Sequence, residues 1–171
     1  AVLAGLLARG DGDRALQLAV ILEEYWYTRL RLDEMNAWLT RALEACTNAP
    51  PSLRAKAHNL LGNATREYGD YETAEREHRR AMMLYREAGD RAGLISVTGQ
   101  LAWMALYRGH YERSIALYEK TLALARTLND KALLANALAG AGVGLAGGGG
   151  TGICIQLFEG RQALWVRLGG R

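Results

Sequence analysis

The sequence repeats itself with a period of 40 residues, and this period constrains the fold more than any other feature of the chain. Residues 61–92 return in residues 101–132 at matched positions: Leu61, Gly69, Tyr71, Glu72, Leu84, Asp90 and Ala92 recur as Leu101, Gly109, Tyr111, Glu112, Leu124, Asp130 and Ala132. One further step reaches residues 149–168, and a step of about 39 residues reaches back to residues 35–42. Four copies fit, near 14–50, 53–92, 93–132 and 133–171, and we expect them to form a single domain over residues 1–171.

Each copy carries apolar residues at helical spacing on two consecutive segments, which we term the first and second helix of a pair. Between them, in the second copy, stand Gly69, which can end a helix with positive φ, and Asp70, which can cap the next helix. Leu30 holds the position of this glycine in the first copy. The sequence therefore predicts an all-α solenoid of antiparallel helix pairs without strands. The predicted helices lie near 2–9, 13–28, 32–46, 52–67, 71–88, 92–107, 111–127, 131–146 and 152–168.

Several of the repeated residues stand at the offsets of a known repeat family. They are Leu61-Gly62, Gly69-Asp70-Tyr71, Ala74 and Ala81, and then Gly109-His110-Tyr111 with Tyr118. Residues 14–171 therefore resemble tetratricopeptide repeats, most clearly in the second and third copies. The resemblance implies a right-handed superhelix whose concave face is built mainly from first helices, and a protein or peptide as partner.

A finer resemblance rests on the long repeat and on aromatic positions in the first copy. The 40-residue period, Tyr25-Trp26-Tyr27 and the segment 37–43 are similar to the C-terminal repeat arms of bacterial signalling ATPases and of maltose-regulator-type transcriptional regulators. That resemblance implies the regulatory or sensor arm of a larger signalling protein, which binds a partner or packs on a sibling domain. The chain begins at Ala1 without an initiator Met, so we expect a piece of a longer protein.

Composition argues against several other classes of protein. A formal net charge of +3 offers no concentrated cationic surface for nucleic acid. A bilayer-spanning apolar run and a signal peptide are both missing, which predicts a cytoplasmic protein with no membrane partner. Cys46 and Cys154 have no partner at metal-ligand spacing, so we expect reduced, buried thiols, no metal and no cofactor. No nucleophile, acid–base pair or phosphate-loop motif is recognisable, and the sequence predicts a protein that is not an enzyme.

Small and aromatic residues at repeated positions are interpreted as packing. Gly62 is expected where two helix backbones come close. The aromatic positions Tyr71, Tyr85, Tyr111 and Trp165 are expected in the core or between repeats. Residues 140–152 are rich in glycine, and each glycine lowers helix propensity, so the fourth copy is predicted to be the least stable.

One surface is predicted to do more than support the scaffold, namely the concave face formed by the first helices. Its candidate ligand-binding residues are Glu24, Tyr27, Asn59, Asn63, Arg66, Gln100, Trp103 and Tyr107. Arg66 would contact a carboxylate, and the two asparagines would contact a peptide backbone. Trp103 with Tyr107 would supply a flat apolar platform of the kind that dominates binding energies. No catalytic or metal-binding residue is predicted.

Two alternatives stay open. In the first, the superhelix holds a small effector of the oligosaccharide type, and Tyr25, Trp26, Tyr27 and Trp103 stack on sugar rings. In the second, the chain is a structural scaffold that associates with itself through the open ends of its repeat array.

Overall fold

A computed structural model of the chain describes residues 1–128, and every regular element in that range is an α-helix. In chain order the helices are α1 (Val2–Ala8), α2 (Gly12–Ile21), α3 (Glu23–Thr28), α4 (Leu32–Ala45), α5 (Pro51–Glu67), α6 (Tyr71–Glu87), α7 (Arg91–Tyr107) and α8 (Tyr111–Leu128). The prediction of an all-α solenoid of antiparallel helix pairs is confirmed. The two helices predicted near 131–146 and 152–168, and with them the fourth copy, Cys154 and Trp165, lie outside the described residues.

The helix bounds agree with the predicted ones to within a residue or so, with one exception. The segment predicted as a single helix over 13–28 is divided into α2 and α3 at Leu22, whose ψ of 9° departs from helical geometry. Main-chain hydrogen bonds nevertheless continue through the break, because Leu22 N–H donates to the Leu18 carbonyl and Trp26 N–H donates to the Leu22 carbonyl. Together α2 and α3 therefore act as the first helix of the first pair, with α4 as its second.

A left-handed residue closes the helix before each of five turns. Four of these residues are glycines, Gly10, Gly69, Gly89 and Gly109, and the fifth is Leu30 with φ 53°. In each turn the next N–H reaches back five residues to a helix carbonyl, as in the bond of 2.9 Å from Arg31 N–H to the Trp26 oxygen. Leu30 thus adopts the left-handed backbone of the glycines with which it aligns, although it has a side chain.

Aspartates cap the helices that follow three of these turns. Asp70 Oδ1 accepts a hydrogen bond of 3.0 Å from Thr73 N–H, and Asp90 Oδ1 accepts one of 2.9 Å from Gly93 N–H. Asp11 caps α2 in the same way through Arg14 N–H. The expected pairing of a turn glycine with a capping aspartate is confirmed for residues 69–70 and 89–90.

The described residues fall into two compact units, the first comprising Ala1–Gly93 and the second beginning at Leu94. In the first unit α2 packs on α4, α4 on α5, and α5 on α6, and α1 contacts α2 and α4. Its core is lined by Leu16, Trp26, Met35, Leu39 and Leu60. In the second unit α7 and α8 share a core of Ile95, Ala102, Tyr118, Leu122 and Ala125.

Helices α5 and α6 approach each other closely at Gly62, as the sequence predicts. A Cβ atom at this position would lie 2.6 Å from His78 Cε1 and 2.7 Å from His78 Nδ1. His78 is completely buried and belongs to α6. Only a residue without a side chain can therefore occupy position 62 while the imidazole keeps its place.

The aromatic packing predictions have different outcomes. Tyr85 is 4% exposed, as expected for a core residue, whereas Tyr111 is 45% exposed, so its expected burial was wrong. Tyr111 is the first residue of α8. A side chain at the end of a helix has fewer neighbours on the facing helix than one in its middle. Cys46 stands at the C-cap of α4 and is only partly buried, since the chain leaves the helix there.

We predict that Leu30→Gly raises the free energy of unfolding by about 1 kcal/mol, because glycine adopts a left-handed backbone without the steric cost that leucine has. The leucine side chain is 84% exposed, so its removal costs little packing. The matched substitution Gly69→Ala should lower stability by a similar amount. Urea denaturation measures both changes, and a loss of stability in Leu30→Gly would contradict the prediction.

We further predict that Gly62→Ala lowers the free energy of unfolding by about 1–3 kcal/mol, because the added methyl group overlaps the buried His78 ring. Gly99 in α7 is the control, since no atom lies within 4 Å of a Cβ built there. Gly99→Ala should stabilise the protein by about 0.4–1 kcal/mol through improved helix propensity. Equal effects of the two substitutions in denaturation experiments would show that the contact at Gly62 is not tight.

Candidate functional site

The structure brings three of the predicted binding residues of the first unit together, and we call Tyr27, Asn63 and Arg66 the polar cluster. The side chain of Asn63 on α5 lies close to the half-buried Tyr27 phenol on α3. Burial and the nearby Glu23 charge raise the pKa of Tyr27, although Asn63 and Arg66 oppose them. The phenol is therefore neutral at physiological pH and serves as a hydrogen-bonding group.

Arg66 already has a carboxylate partner within the molecule. Its guanidinium Nη2 lies 2.7 Å from Oε1 of Glu67, and its side chain is 20% exposed. A ligand carboxylate would have to replace Glu67 at this guanidinium. The predicted anion contact is thus available only through an exchange of partners.

Asn59 lies in the core instead of on the predicted surface. It is 8% exposed, and its Oδ1 lies 3.1 Å from His78 Nδ1. The sequence pattern placed it on the first-helix face because it precedes Asn63 by one turn. Its polar group is instead used inside the α5–α6 interface. Glu24, in contrast, is exposed on α3 as expected.

In the second unit, the predicted platform exists as a stacked pair of rings, which we call the aromatic platform. The Trp103 and Tyr107 ring centroids are 5.3 Å apart, and the planes differ by 13°. Tyr107 is 62% exposed, while Trp103 is partly buried. Gln100, also partly buried, lies on the same face of α7 by its spacing, one turn before Trp103.

The aromatic set suggested for sugar stacking is only partly accessible. Trp26 is 4% exposed and belongs to the core of the first unit, so its predicted role in stacking on a ligand is wrong. Tyr25 is 46% exposed and meets Trp26 edge-on, with centroids 5.2 Å apart. Adjacent residues on a helix point in different directions, which is why one ring is inside and its neighbour outside.

A buried charged pair links α5 and α6 near the polar cluster. His58 Nδ1 lies 2.7 Å from Glu77 Oε2, and Arg80 Nη1 lies 2.9 Å from Glu77 Oε1. Burial raises the pKa of Glu77, but the hydrogen bond from His58 and the charges of His58, Arg80 and Arg76 outweigh burial and bring the pKa below its usual value. Glu77 is therefore an ionised, internally paired carboxylate.

Within residues 1–128, no three His, Cys, Asp or Glu side chains are grouped closely enough to hold one metal ion. The free Cys46 thiol donates to the Leu43 carbonyl at 3.2 Å, and burial raises its pKa, so it stays protonated. None of the helices in this range is both long and apolar enough to cross a membrane.

The family comparison identifies the class of repeat. Residues 53–127 match the model of the tetratricopeptide repeat, and these residues lie within the second and third copies of the sequence period. This part of the chain carries the tetratricopeptide-repeat pattern that its motifs indicate. No curated protein sequence matches the chain significantly.

Solved structures share the fold at low sequence identity. BtubC (BKLC) from P. vanneervenii is 18% identical with a TM-score of 0.84, and the match covers 94% of this chain and 67% of BtubC. Apo RapI is 10% identical with a TM-score of 0.85, and the match covers 97% of this chain and 61% of RapI. Aspartyl phosphate phosphatase F from Bacillus subtilis is 14% identical with a TM-score of 0.84, and the match covers 98% of this chain and 44% of the phosphatase. At these identities the likeness concerns the fold, and the chain spans less than two thirds of RapI and of the phosphatase.

His78 makes stability depend on pH. Burial, assisted by the charge of Arg66 and opposed by Glu77, lowers the pKa of His78 to about 4. An unfolded histidine has a pKa of about 6.5, so between these values the unfolded chain binds the additional proton. Stability is fully present above about pH 6.5 and falls as the pH drops towards 4, by up to about 3 kcal/mol.

We therefore predict that the free energy of unfolding falls between pH 6.5 and 4.5 in the wild type, and that His78→Gln flattens this slope even though it lowers stability. His110→Gln is the control, because His110 is exposed, and it should keep the wild-type slope. Urea titrations across this pH range measure the slopes. Identical slopes in all three proteins would exclude His78 as their source.

Proposed function

We propose that this chain is a non-catalytic module that binds a protein or peptide through its first helices. The observation that carries the proposal is the aromatic platform, in which Tyr107 stays 62% exposed while its ring stacks on Trp103. A rigid pair of large rings offers apolar area at a low entropic cost, and Trp and Tyr are enriched among residues that dominate binding. The tetratricopeptide-repeat match of residues 53–127 supports a binding module.

The polar cluster is the second contact region of this proposal. Asn63 Oδ1 is enclosed and has no hydrogen-bond partner among the described residues, so a ligand donor that reaches it would satisfy an otherwise costly atom. The Arg66 guanidinium would donate to a ligand carboxylate in place of Glu67. Tyr27 on α3 lies close to Asn63 and offers its phenol as a further hydrogen-bonding group. The polar cluster therefore favours a ligand that carries a carboxylate, and the aromatic platform favours one that carries an apolar or aromatic side chain.

The wider role that we propose is regulation within a cytoplasmic signalling protein, where the partner is another protein or a sibling domain. This part of the proposal is supported by the sequence resemblance at residues 25–27 and 37–43. The matches named above do not include a maltose-type regulator. The chain's similarity to aspartyl phosphate phosphatase F is confined to the fold, so no phosphatase activity is inferred.

The test compares how two tyrosine substitutions in the protein change its affinity for the same peptides. Peptides selected from a displayed random library on the wild-type protein should lose affinity by about 10-fold or more in Tyr107→Ala, which corresponds to a hot-spot residue. Tyr111→Ala is the matched control, since Tyr111 is 45% exposed but lies outside the platform. Fluorescence polarisation gives the affinities, and thermal melts should show that both variants remain folded.

Equal binding by wild type and Tyr107→Ala for every selected peptide would disprove the role of the platform. Trp103→Ala is a less decisive variant because Trp103 is partly buried. Its binding result should be interpreted only if its melting temperature is close to that of the wild type. Arg66→Gln then tests the polar cluster, and it should weaken only those peptides that carry a carboxylate.

A sugar-type effector is the second candidate, because the exposed ring of Tyr107, stacked on Trp103, also suits the apolar face of a pyranose. The stacking surface would consist of Trp103 and Tyr107 without Trp26, which is buried. Titration with maltotriose, followed by tryptophan fluorescence, tests this candidate. A saturable change that disappears in Tyr107→Ala would favour it over the peptide ligand.

A further inference from the structure

A groove in the first unit lies on the side of the second helices, and we call it the second-helix groove. It runs between α4 and α6, with the C-terminal half of α5 as its floor, and has a volume of about 710 Å³. This size is typical of sites that bury a ligand segment. None of the residues singled out from the sequence as ligand-binding lines it. It is thus a separate surface from the polar cluster and the aromatic platform.

The floor of the groove and one position of its α4 wall are apolar. Leu61 lies at the floor, and Ala37 is exposed on the α4 wall. The Thr65 hydroxyl donates to the Leu61 carbonyl at 2.8 Å, so the methyl group is the part of this side chain left for other contacts. Tyr68, which is 58% exposed, closes one end. An apolar side chain of a ligand would find matching surface here.

The charged residues of the groove leave an excess of positive charge. Glu77 lines it, but its carboxylate is paired with Arg80, which lies 2.9 Å away and outside the groove, and it also lies 2.7 Å from His58. The other charged residues that line the groove are Arg41 on α4, Arg76 on α6 and Asp33, and Arg76 Nε lies at the longer distance of 3.8 Å from Glu77 Oε1.

Both arginines are held in position. The Arg41 guanidinium lies 4.7 Å from the ring centroid of Trp38, which orders it on the α4 wall. Arg76 donates to Thr73 Oγ1 at 3.1 Å, and its side chain remains 53% exposed. Two fixed cations on opposite walls favour a ligand that carries carboxylates on both sides of an apolar residue.

One acceptor atom in the groove also lacks a hydrogen-bond donor. Asn36 Oδ1 is enclosed and has no hydrogen-bond partner within the described part of the chain. A backbone N–H of a bound segment would provide this donor. From the charge, the apolar floor and this acceptor, we propose that the second-helix groove binds a short acidic segment of a partner protein, with one apolar side chain on Leu61 and carboxylates at Arg41 and Arg76.

The experiment uses a defined probe on the whole chain. A fluorescein-labelled peptide that alternates glutamate with leucine should bind the wild type at low salt, and a peptide with lysine in place of glutamate should not. Binding should weaken as salt rises, because exposed ion pairs are screened. Absence of binding by the glutamate peptide, or equal binding by both peptides, would overturn the proposal.

Substitutions then locate the bound peptide. Arg76→Gln and Arg41→Gln should each weaken the glutamate peptide by about 3–5-fold, the range for exposed ion pairs. Arg79→Gln is the matched control: it removes the same charge from the same helix at a similar exposure of 57%, but outside the groove, and should have no effect. A loss in Arg79→Gln as large as that in Arg76→Gln would show unspecific attraction to α6.

A charge introduced on the wall gives a second, independent measurement. Ala37→Glu should abolish binding of the glutamate peptide, since Ala37 is exposed and the new carboxylate opposes the ligand; Ala116→Glu on an exposed position of α8 should leave it unchanged. Tyr107→Ala should also leave it unchanged. If Tyr107→Ala removes binding and the groove variants do not, the peptide lies on the aromatic platform and the groove proposal is wrong.

Discussion

A pair of amphipathic helices cannot bury its apolar stripe unless the two helices and their neighbours approach closely, and the contact between Gly62 and His78 is where this chain meets that requirement. The imidazole occupies the space of the absent side chain. The approach allows short residues to fill the interface, and Ala64, Ala74 and Ala81 are completely buried there. The position of α6, and with it one wall of the second-helix groove, depends on this contact.

In the third copy, different residues form the close contact between the two helices. One period after Gly62 and His78 stand Ala102 and Tyr118, and both are buried. Ser114 Oγ donates to the Ala102 carbonyl at 2.8 Å, so a polar bond joins α7 to α8 where Asn59 and His78 join α5 to α6. The repeat therefore preserves the geometry of the pair but not its chemistry. Because tyrosine is neutral at the pH where histidine titrates, the pH dependence that we predict for His78 has no counterpart at Tyr118.

The two proposed binding surfaces follow from the two sides of a helix pair. First helices carry the polar cluster and the aromatic platform, where bonds within the protein must be exchanged, as between Arg66 and Glu67. The second-helix groove instead has cations whose own contacts leave them accessible, since Arg76 is 53% exposed. The aromatic platform thus favours an apolar or aromatic side chain, the polar cluster a carboxylate, and the second-helix groove a segment with carboxylates on both sides of an apolar residue.

The sequence by itself determined the helices, because their signals are local. Periodic apolar residues, turn glycines and capping aspartates act within a few residues, whereas the left-handed backbone of Leu30 was seen only in the structure. The same logic identified the Trp103–Tyr107 pair, whose members are one helical turn apart. Tertiary structure decided which contacts form between helices. It placed Asn59 in the core, Tyr111 at the surface, and Arg41 and Arg76 on opposite walls of one groove. A helical period specifies which residues share a face, but burial and distant pairing depend on how neighbouring helices pack.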